Sequence, residues 1–322
     1  MEPISLVKPL ATRPLSQWAS GGFGGLKARS FRVGLRDNFT ISTWLLVGAT
    51  LQSALLLLLP ARFALVPPFM LLMYRFLDTV LMAAGWKKNI YLEGVIPGKF
   101  SAQIPDAQGR FSKGPSSEGI CVFLIGARSN HPLGMFAPGF KEIGDYFREM
   151  IENLERDPEE FGWGNQTANP LPTPGENTVL GASSWINLSD RTSSNELMTV
   201  CYFRNVTYLH AFAHGPAHRA AWNWWNKHVA GLSHIAIMHE LYQTPPHAWE
   251  NIYINYRPTG LAATTHRAVL PPAKKGEPGV PVWLSPIVDA RKGRFRSSAG
   301  RMAMDTGDGN EKYGDDPYAE EE

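Results

Sequence analysis

The sequence predicts an α+β protein, a ferredoxin-like β-α-β-β-α-β unit preceded by an N-terminal membrane helical hairpin. Two observations carry this. Residues 38–61 contain no charged residue, and between residues 119 and 244 the apolar pattern switches repeatedly between the period of a strand and that of a helix. A third agrees with the first: charged residues make up 19% of the chain, below the roughly 25% of an average soluble protein, a deficit that points to membrane contact.

Composition also bounds partners and chemistry. With 31 Lys+Arg against 29 Asp+Glu the net charge is +2, so no basic excess exists to neutralise a phosphate backbone, and nucleic acid is not an expected partner. Cys121 and Cys201 are the 2 cysteines. They are too few for a disulfide framework or a four-thiolate metal site and fit a reducing compartment.

Residues 1–37 read as a flexible basic lead, Gly-rich at SGGFGG and carrying Lys27, Arg29, Arg32 and Arg36, without a cleavable signal pattern. Residues 38–86 are the expected membrane segments. TWLLVGATLQSALLLLLP has the apolar length to cross a bilayer core, which takes about 20 residues. The second stretch, FALVPPFMLLMYRFLDTVLMAAGW, is the weaker span, because it holds Arg75, Asp78 and a Pro67-Pro68 break. Arg75 and Asp78 lie one helical turn apart and are expected to pair, lowering the cost of burying either. Basic residues flank both outer ends, Lys87 and Lys88 on the far side, so both ends face the cytosol with the Arg62 turn opposite. The expected location is therefore a membrane, that of the endoplasmic reticulum, with the globular domain cytosolic. An in-plane amphipathic helix or a buried soluble helix is the alternative for residues 63–86.

Residues 88–265 read as the globular domain. GICVFLIGARSN (residues 119–130) is a buried strand, and GFKEIGDYFREMIENLERD (residues 139–157) an amphipathic helix. TVLGASSWINL (residues 178–188) and ELMTVCYFRN (residues 196–205) form a hairpin. VTYLHAFAHGPAHRAAWNWWNKHV (residues 206–229) is helical, interrupted where Gly215 ends one turn and Pro216 opens the next. SHIAIMHELYQT (residues 233–244) is the fourth strand, completing a split βαβ order. Beyond this domain, residues 266–322 read as a linker and a charged, disordered tail ending in DTGDGNEKYGDDPYAEEE.

The chemistry-bearing residues concentrate late in the domain. Of the 9 histidines, His210, His214, His218, His228, His234, His239 and His247 fall close together. His210, His214 and His218 are spaced by four, but Pro216 is expected to swing His218 onto a helix of its own, which removes a three-His metal face. No HExxH motif, paired CxxC, Gly-rich phosphate loop or GxSxG elbow is present, so no metal or nucleotide cofactor is expected. On the last strand, alternation requires one of His239 and Glu240 to face inward. A buried imidazole there either ties helix to sheet or serves as a catalytic base. Trp185, Tyr202, His214, Trp222, Glu240 and Tyr242 are candidates to line an apolar pocket with polar handles, and the aromatic residues read equally well as core packing. The hairpin turn adds Asn187 and Arg191, either a plain polar turn or donors able to stabilise an enolate or peroxy anion.

Two strings carry a resemblance: GASSWINLSDRTSSNELMTVCYFRNVTYLHAFAHGPAHRAAWNWW (residues 181–225) and HIAIMHELYQTPPHAWENIYINYRPTGL (residues 234–261). They resemble a fungal monooxygenase-like family, one of whose members belongs to the fumagillin pathway, related to antibiotic-biosynthesis monooxygenases. The resemblance covers roughly residues 88–265. It implies a dimeric α/β barrel, in which two ferredoxin-like units pair their sheets, and hence a homodimer. It further implies a monooxygenase using O2 on a lipophilic terpenoid or polyketide, often without metal or flavin, because a deprotonated substrate can itself give an electron to oxygen. His218 or His239 would be the base, and Asn187, Arg191 and Trp185 would place the anion and oxygen. The same superfamily contains haem enzymes such as aldoxime dehydratases, in which His218 or His239 would be the iron ligand. A non-catalytic metabolite-binding or scaffold protein is the third reading.

Overall fold

The computed structural model describes residues 5–12, 31–32, 34–106, 109–111, 114–155, 179–186, 196–272, 278–304 and 317–318. Residues 31–32 and 34–37 are helical, and two long helices follow, α1 (Ile41–Leu58) and α2 (Ala61–Ala83). Thr40 caps α1, its hydroxyl accepting from the Thr43 amide, and the short Leu59-Pro60 link folds α2 back against α1. Pro67 and Pro68 lie inside α2 without ending it. Pro68 has no N–H for the Ala64 carbonyl one turn back, and Gln52 of α1 donates to that carbonyl at 2.9 Å. The Pro67-Pro68 break expected from sequence is thus bridged across the hairpin. Asp78 pairs with Lys87 beyond the helix end, not with Arg75 as expected, since the chain folds back so that the Trp86 and Lys87 amides donate to the Leu81 carbonyl.

The central sheet is built from β2 (Ile120–Ser129), β3 (Val179–Ile186), β4 (Leu197–Phe203) and β5 (Ile235–Thr244), after a first strand β1 (Ile96–Ala102) that joins another sheet. Its order is β3-β4-β2-β5 with every pair antiparallel. Between the strands run α3 (Phe140–Glu155), α4 (Val206–Ala213) and α5 (Pro216–His228). The chain order is therefore the split β-α-β-β-α-β unit, mixed in class and antiparallel throughout.

Alternation sends the two sheet faces to different cores. Cys121, Cys201 and Phe203 are buried with Phe123 against Ile151 of α3 and Leu209 of α4. On the other face Val122 and Tyr202 pack on a cluster of Phe100, Ala102, Leu261, Ala262 and Ile287. That cluster belongs to a second sheet in which β1 is flanked by β6 (Tyr253–Tyr256) and β9 (Ile287–Asp289). The chain itself thus covers one end of this sheet face.

The stretch expected to be a linker and tail is ordered through much of its described part. β7 (His266–Leu270) pairs with β8 (Val280–Leu284), β9 adds to β1, and α6 (Ser298–Arg301) follows. Arg301 is buried, its Nε donating to Glu250 at 2.6 Å and its Nη1 to the Phe295 carbonyl at 2.9 Å. The end of the expected disordered tail lies mostly outside the described residues.

Candidate active site

His218 owes its position to a broken helix. Asn205 caps α4 by accepting from the amides of Thr207 and Tyr208 at 2.9 and 3.3 Å. His214 closes α4, Gly215 leads out, and Pro216 sits at the start of α5 with its missing N–H at a position that needs none. His218 is then in the first turn of α5, half-buried, its ring 5.9 Å from that of Phe212. As expected from Pro216, it does not share a face with His210 and His214. His214 is exposed and its Nδ1 lies 2.7 Å from the His210 carbonyl. Burial holds the His218 pKa below its ordinary value; a hydrogen bond to the Ala213 backbone opposes this, and His214 and His239 add to it. Burial therefore favours the uncharged imidazole at His218.

His239 comes from the sheet. The register sets it opposite Ile125, with Leu241 opposite Phe123, on the face that carries the helices. Its ring lies 5.6 Å from Phe123, and it is within electrostatic reach of His218. Sequence alternation required one of His239 and Glu240 to be inward; both are exposed. The reason is topological: β5 is an edge strand, so neither of its faces is enclosed.

The remaining predicted residues are not gathered there. Glu240 accepts from the Tyr242 hydroxyl at 2.6 Å, and both point to the opposite face of the sheet. Tyr202 is on that opposite face too, where burial pushes its phenol up to about 12. Its hydroxyl sits where a Cβ on Gly260 would come within 3.0 Å, and Gly260 has φ of +56°, so glycine is required twice over. Trp222 is 57% exposed on α5. The backbone of Trp185 pairs with Met198 on β4, while Asn187 and Arg191 lie outside the described residues. β3 and β5 are opposite edges of the sheet, three strand spacings apart, or about 14 Å. Phe212, one of the aromatic residues that the sequence offers as pocket lining, flanks His218, whereas Phe123, which flanks His239, was missed; the strand alternation that places Phe123 on the helix side with Cys121 was the available signal.

A separate cleft of about 280 Å³ opens at the end of the sheet, lined by Glu118, Arg204, Asn205, Tyr208 and Gln243 among others. It contains none of the predicted site residues. Within electrostatic reach of Arg204 is His266, fully buried, its Nε2 3.0 Å from the Thr264 hydroxyl and its Nδ1 without a hydrogen-bond partner. Burial first, then the Arg204 charge, lower its pKa to about 3. Among the described residues no group of three or more His, Cys, Asp and Glu side chains is gathered to hold a metal ion.

The family model described as Monooxygenase af470-like matches residues 120–261, the segment that holds the central sheet, α4 and α5. A relative, Monooxygenase af470 of Aspergillus fumigatus, is 30% identical over 271 residues, 84% of this chain and 90% of that protein. Among solved structures, the cofactor-independent oxygenase SnoaB of Streptomyces nogalater is 12% identical over 38% of this chain and 90% of its own, with a TM-score of 0.21, too low to support an inference.

Proposed function

The chain belongs to the af470-like monooxygenase family, and from that premise we propose that it is a membrane-anchored monooxygenase that uses O2 to oxidise a lipophilic secondary metabolite, of terpenoid or polyketide type, in a fungal biosynthetic pathway. The observation that carries the site assignment is the half-buried His218 within electrostatic reach of His239, the two flanked by the Phe212 and Phe123 rings, with burial favouring the uncharged form of His218. A neutral imidazole at an apolar surface is a base poised for an acidic O–H or C–H.

The chemistry this permits needs no bound cofactor. His218 removes a proton from the substrate, and the resulting anion passes one electron to O2. The substrate radical and superoxide combine to a peroxide, which takes up a proton and loses water to leave a carbonyl. One oxygen atom ends in the product carbonyl and the other in water, and the substrate carbon supplies all four electrons that reduce O2. Asn187 and Arg191 come next in sequence after β3, and their assigned role is to donate hydrogen bonds to the developing anion. Trp185, His214, Trp222, Tyr202, Glu240 and Tyr242 are substrate-lining candidates of lower rank, because Tyr202, Glu240 and Tyr242 lie on the other sheet face.

Two further features support the reading. α1 and α2 are long and apolar enough to cross a membrane, and their apolar windows are 0% buried; a surface that includes Leu45, Leu46, Leu57, Phe69 and Leu72 is too apolar to face water. An anchor concentrates a lipid-soluble substrate near the site. The far sheet face keeps Met238 and Tyr242 exposed, and the assigned use of its open part is pairing with a second copy. The test is turnover of the native metabolite by the His218→Ala protein. A loss of about 10²- to 10⁴-fold supports the assignment, and full turnover contradicts it. A Soret band in the purified protein that vanishes with His218→Ala would replace the cofactor-free route with a haem-dependent one.

A further inference from the structure

Both ends of the hairpin emerge on the same side, where two loops of the globular domain present large apolar side chains to solvent. After α2 the chain turns back along the helix and runs through Trp86, Ile90, Tyr91 and Leu92, which are 81%, 52%, 71% and 62% exposed. This loop is held to the domain, since Arg257 donates to the Tyr91 carbonyl at 3.2 Å. Just before α1, Asn38 reaches a second loop: its Oδ1 accepts from the Met135 amide at 2.8 Å and its Nδ2 donates to the Leu133 carbonyl at 3.4 Å. In that loop Leu133 and Phe136 are 55% and 50% exposed. Two tips distant in sequence thus carry exposed leucine and aromatic side chains at the one end of the hairpin that meets the domain.

We propose that these tips, residues 86–92 and 133–136, form a docking surface that inserts into the headgroup layer of a phospholipid bilayer and seats the domain on the membrane. The proposal rests on the reading of the hairpin as a membrane anchor and adds to it a fixed orientation. Trp and Tyr favour this layer because a ring buries its apolar body while its polar group stays wet. Trp86 follows the end of α2 at Ala83 by three residues, the depth at which an aromatic belt is expected. Lys88 and Arg257, both exposed, add the positive charge that suits anionic headgroups. The orientation also brings the start of β5 to the membrane side, because Ser129 before the second loop pairs with Ile235. His239, four residues along β5, is then about 13 Å from the loop, close enough for a substrate to pass from lipid to the imidazoles.

The full chain in nanodiscs of phosphatidylcholine and phosphatidylserine tests this by site-directed spin labelling. Cys121 and Cys201 are buried, so Tyr91→Cys, Phe136→Cys, Leu71→Cys and Lys227→Cys can each be labelled at the new thiol. Labels at 91 and 136 should be several-fold more accessible to oxygen than to an aqueous nickel reagent when compared with the label at 227, and the label at 71 should lie deeper still. If the labels at 91 and 136 match the one at 227 while 71 is deep, the docking surface is wrong and the anchor stands. If 71 also matches 227, the anchor reading fails and the docking surface with it.

Discussion

The His239 ring lies 5.6 Å from the ring of Phe123 as a diagonal cross-strand pair, because His239 stands opposite Ile125 and Leu241 opposite Phe123. This pairing fixes His239 on the same sheet face as the helix that carries His218. His239 therefore acts on His218, and the titration of His218 is the first observable consequence.

The activity should rise with pH to a plateau through a single ionisation below 6.5, the ordinary value for His218. The sign follows from the role: the base must be unprotonated, burial disfavours its charged form, and activity is lost only as pH falls through that lowered value. His239 is among the groups that lower it. In His239→Ala the acid limb of kcat/KM should move to higher pH, and an unmoved limb would separate the two histidines.

His266 should make the fold sensitive to acid. Its folded-state pKa is about 3 against an ordinary 6.5, so the unfolded chain takes up a proton that the folded chain refuses. The sign is a loss of stability as pH drops below 6.5, by up to about 1.4 kcal/mol per pH unit, ending near pH 3. In His266→Phe the fall of Tm between pH 6 and about 4 should be shallower than in the parent. Thr264 keeps a partner in this variant, since its hydroxyl also donates to the Leu261 carbonyl at 2.7 Å.

Neither thiol should react in the folded protein. Burial raises Cys121 and pushes Cys201 up to about 12, so little thiolate exists at pH 8. Labelling with a maleimide or an aromatic disulfide should be slow in the native state and complete for both in denaturant. Fast native labelling would show that the core formed with α3 and α4 opens.

Gln52 should matter to the hairpin more than a polar residue on an apolar helix ordinarily would. It satisfies the Ala64 carbonyl that Pro68 leaves free, and Gln52→Leu should destabilise the α1–α2 pair by about 0.6–2 kcal/mol. Unfolding in mixed micelles of increasing detergent denaturant measures this, and an unchanged midpoint would mean that another group reaches the carbonyl.

Much of the central unit was readable in the sequence because each element announces its own period. Phe140, Ile143, Phe147, Ile151 and Leu154 mark α3, and Gly215-Pro216 marks the break between α4 and α5. The second sheet was not readable. β1 is IPGKFSA, in which Pro97, Gly98 and Lys99 interrupt the alternation, and Gly98 takes φ of +82°. β7, β8 and β9 are short and surrounded by prolines, so their pairing is a tertiary fact. The site was legible only in part, for a similar reason. Its residue types are visible in the sequence, but strand order decides which of them meet, and that order puts His239 on an exposed edge with Tyr202, Glu240 and Tyr242 on the other face.

The central claim is that His218 removes the proton that lets the substrate react with O2. The most direct test is mass spectrometry of products formed under isotopically heavy O2 by the full chain in nanodiscs loaded with the lipophilic metabolites of its host, run beside His218→Ala. The account predicts one heavy oxygen atom per product molecule with the parent protein and almost none with the variant. Undiminished labelling by the variant, or a product without heavy oxygen, would contradict it.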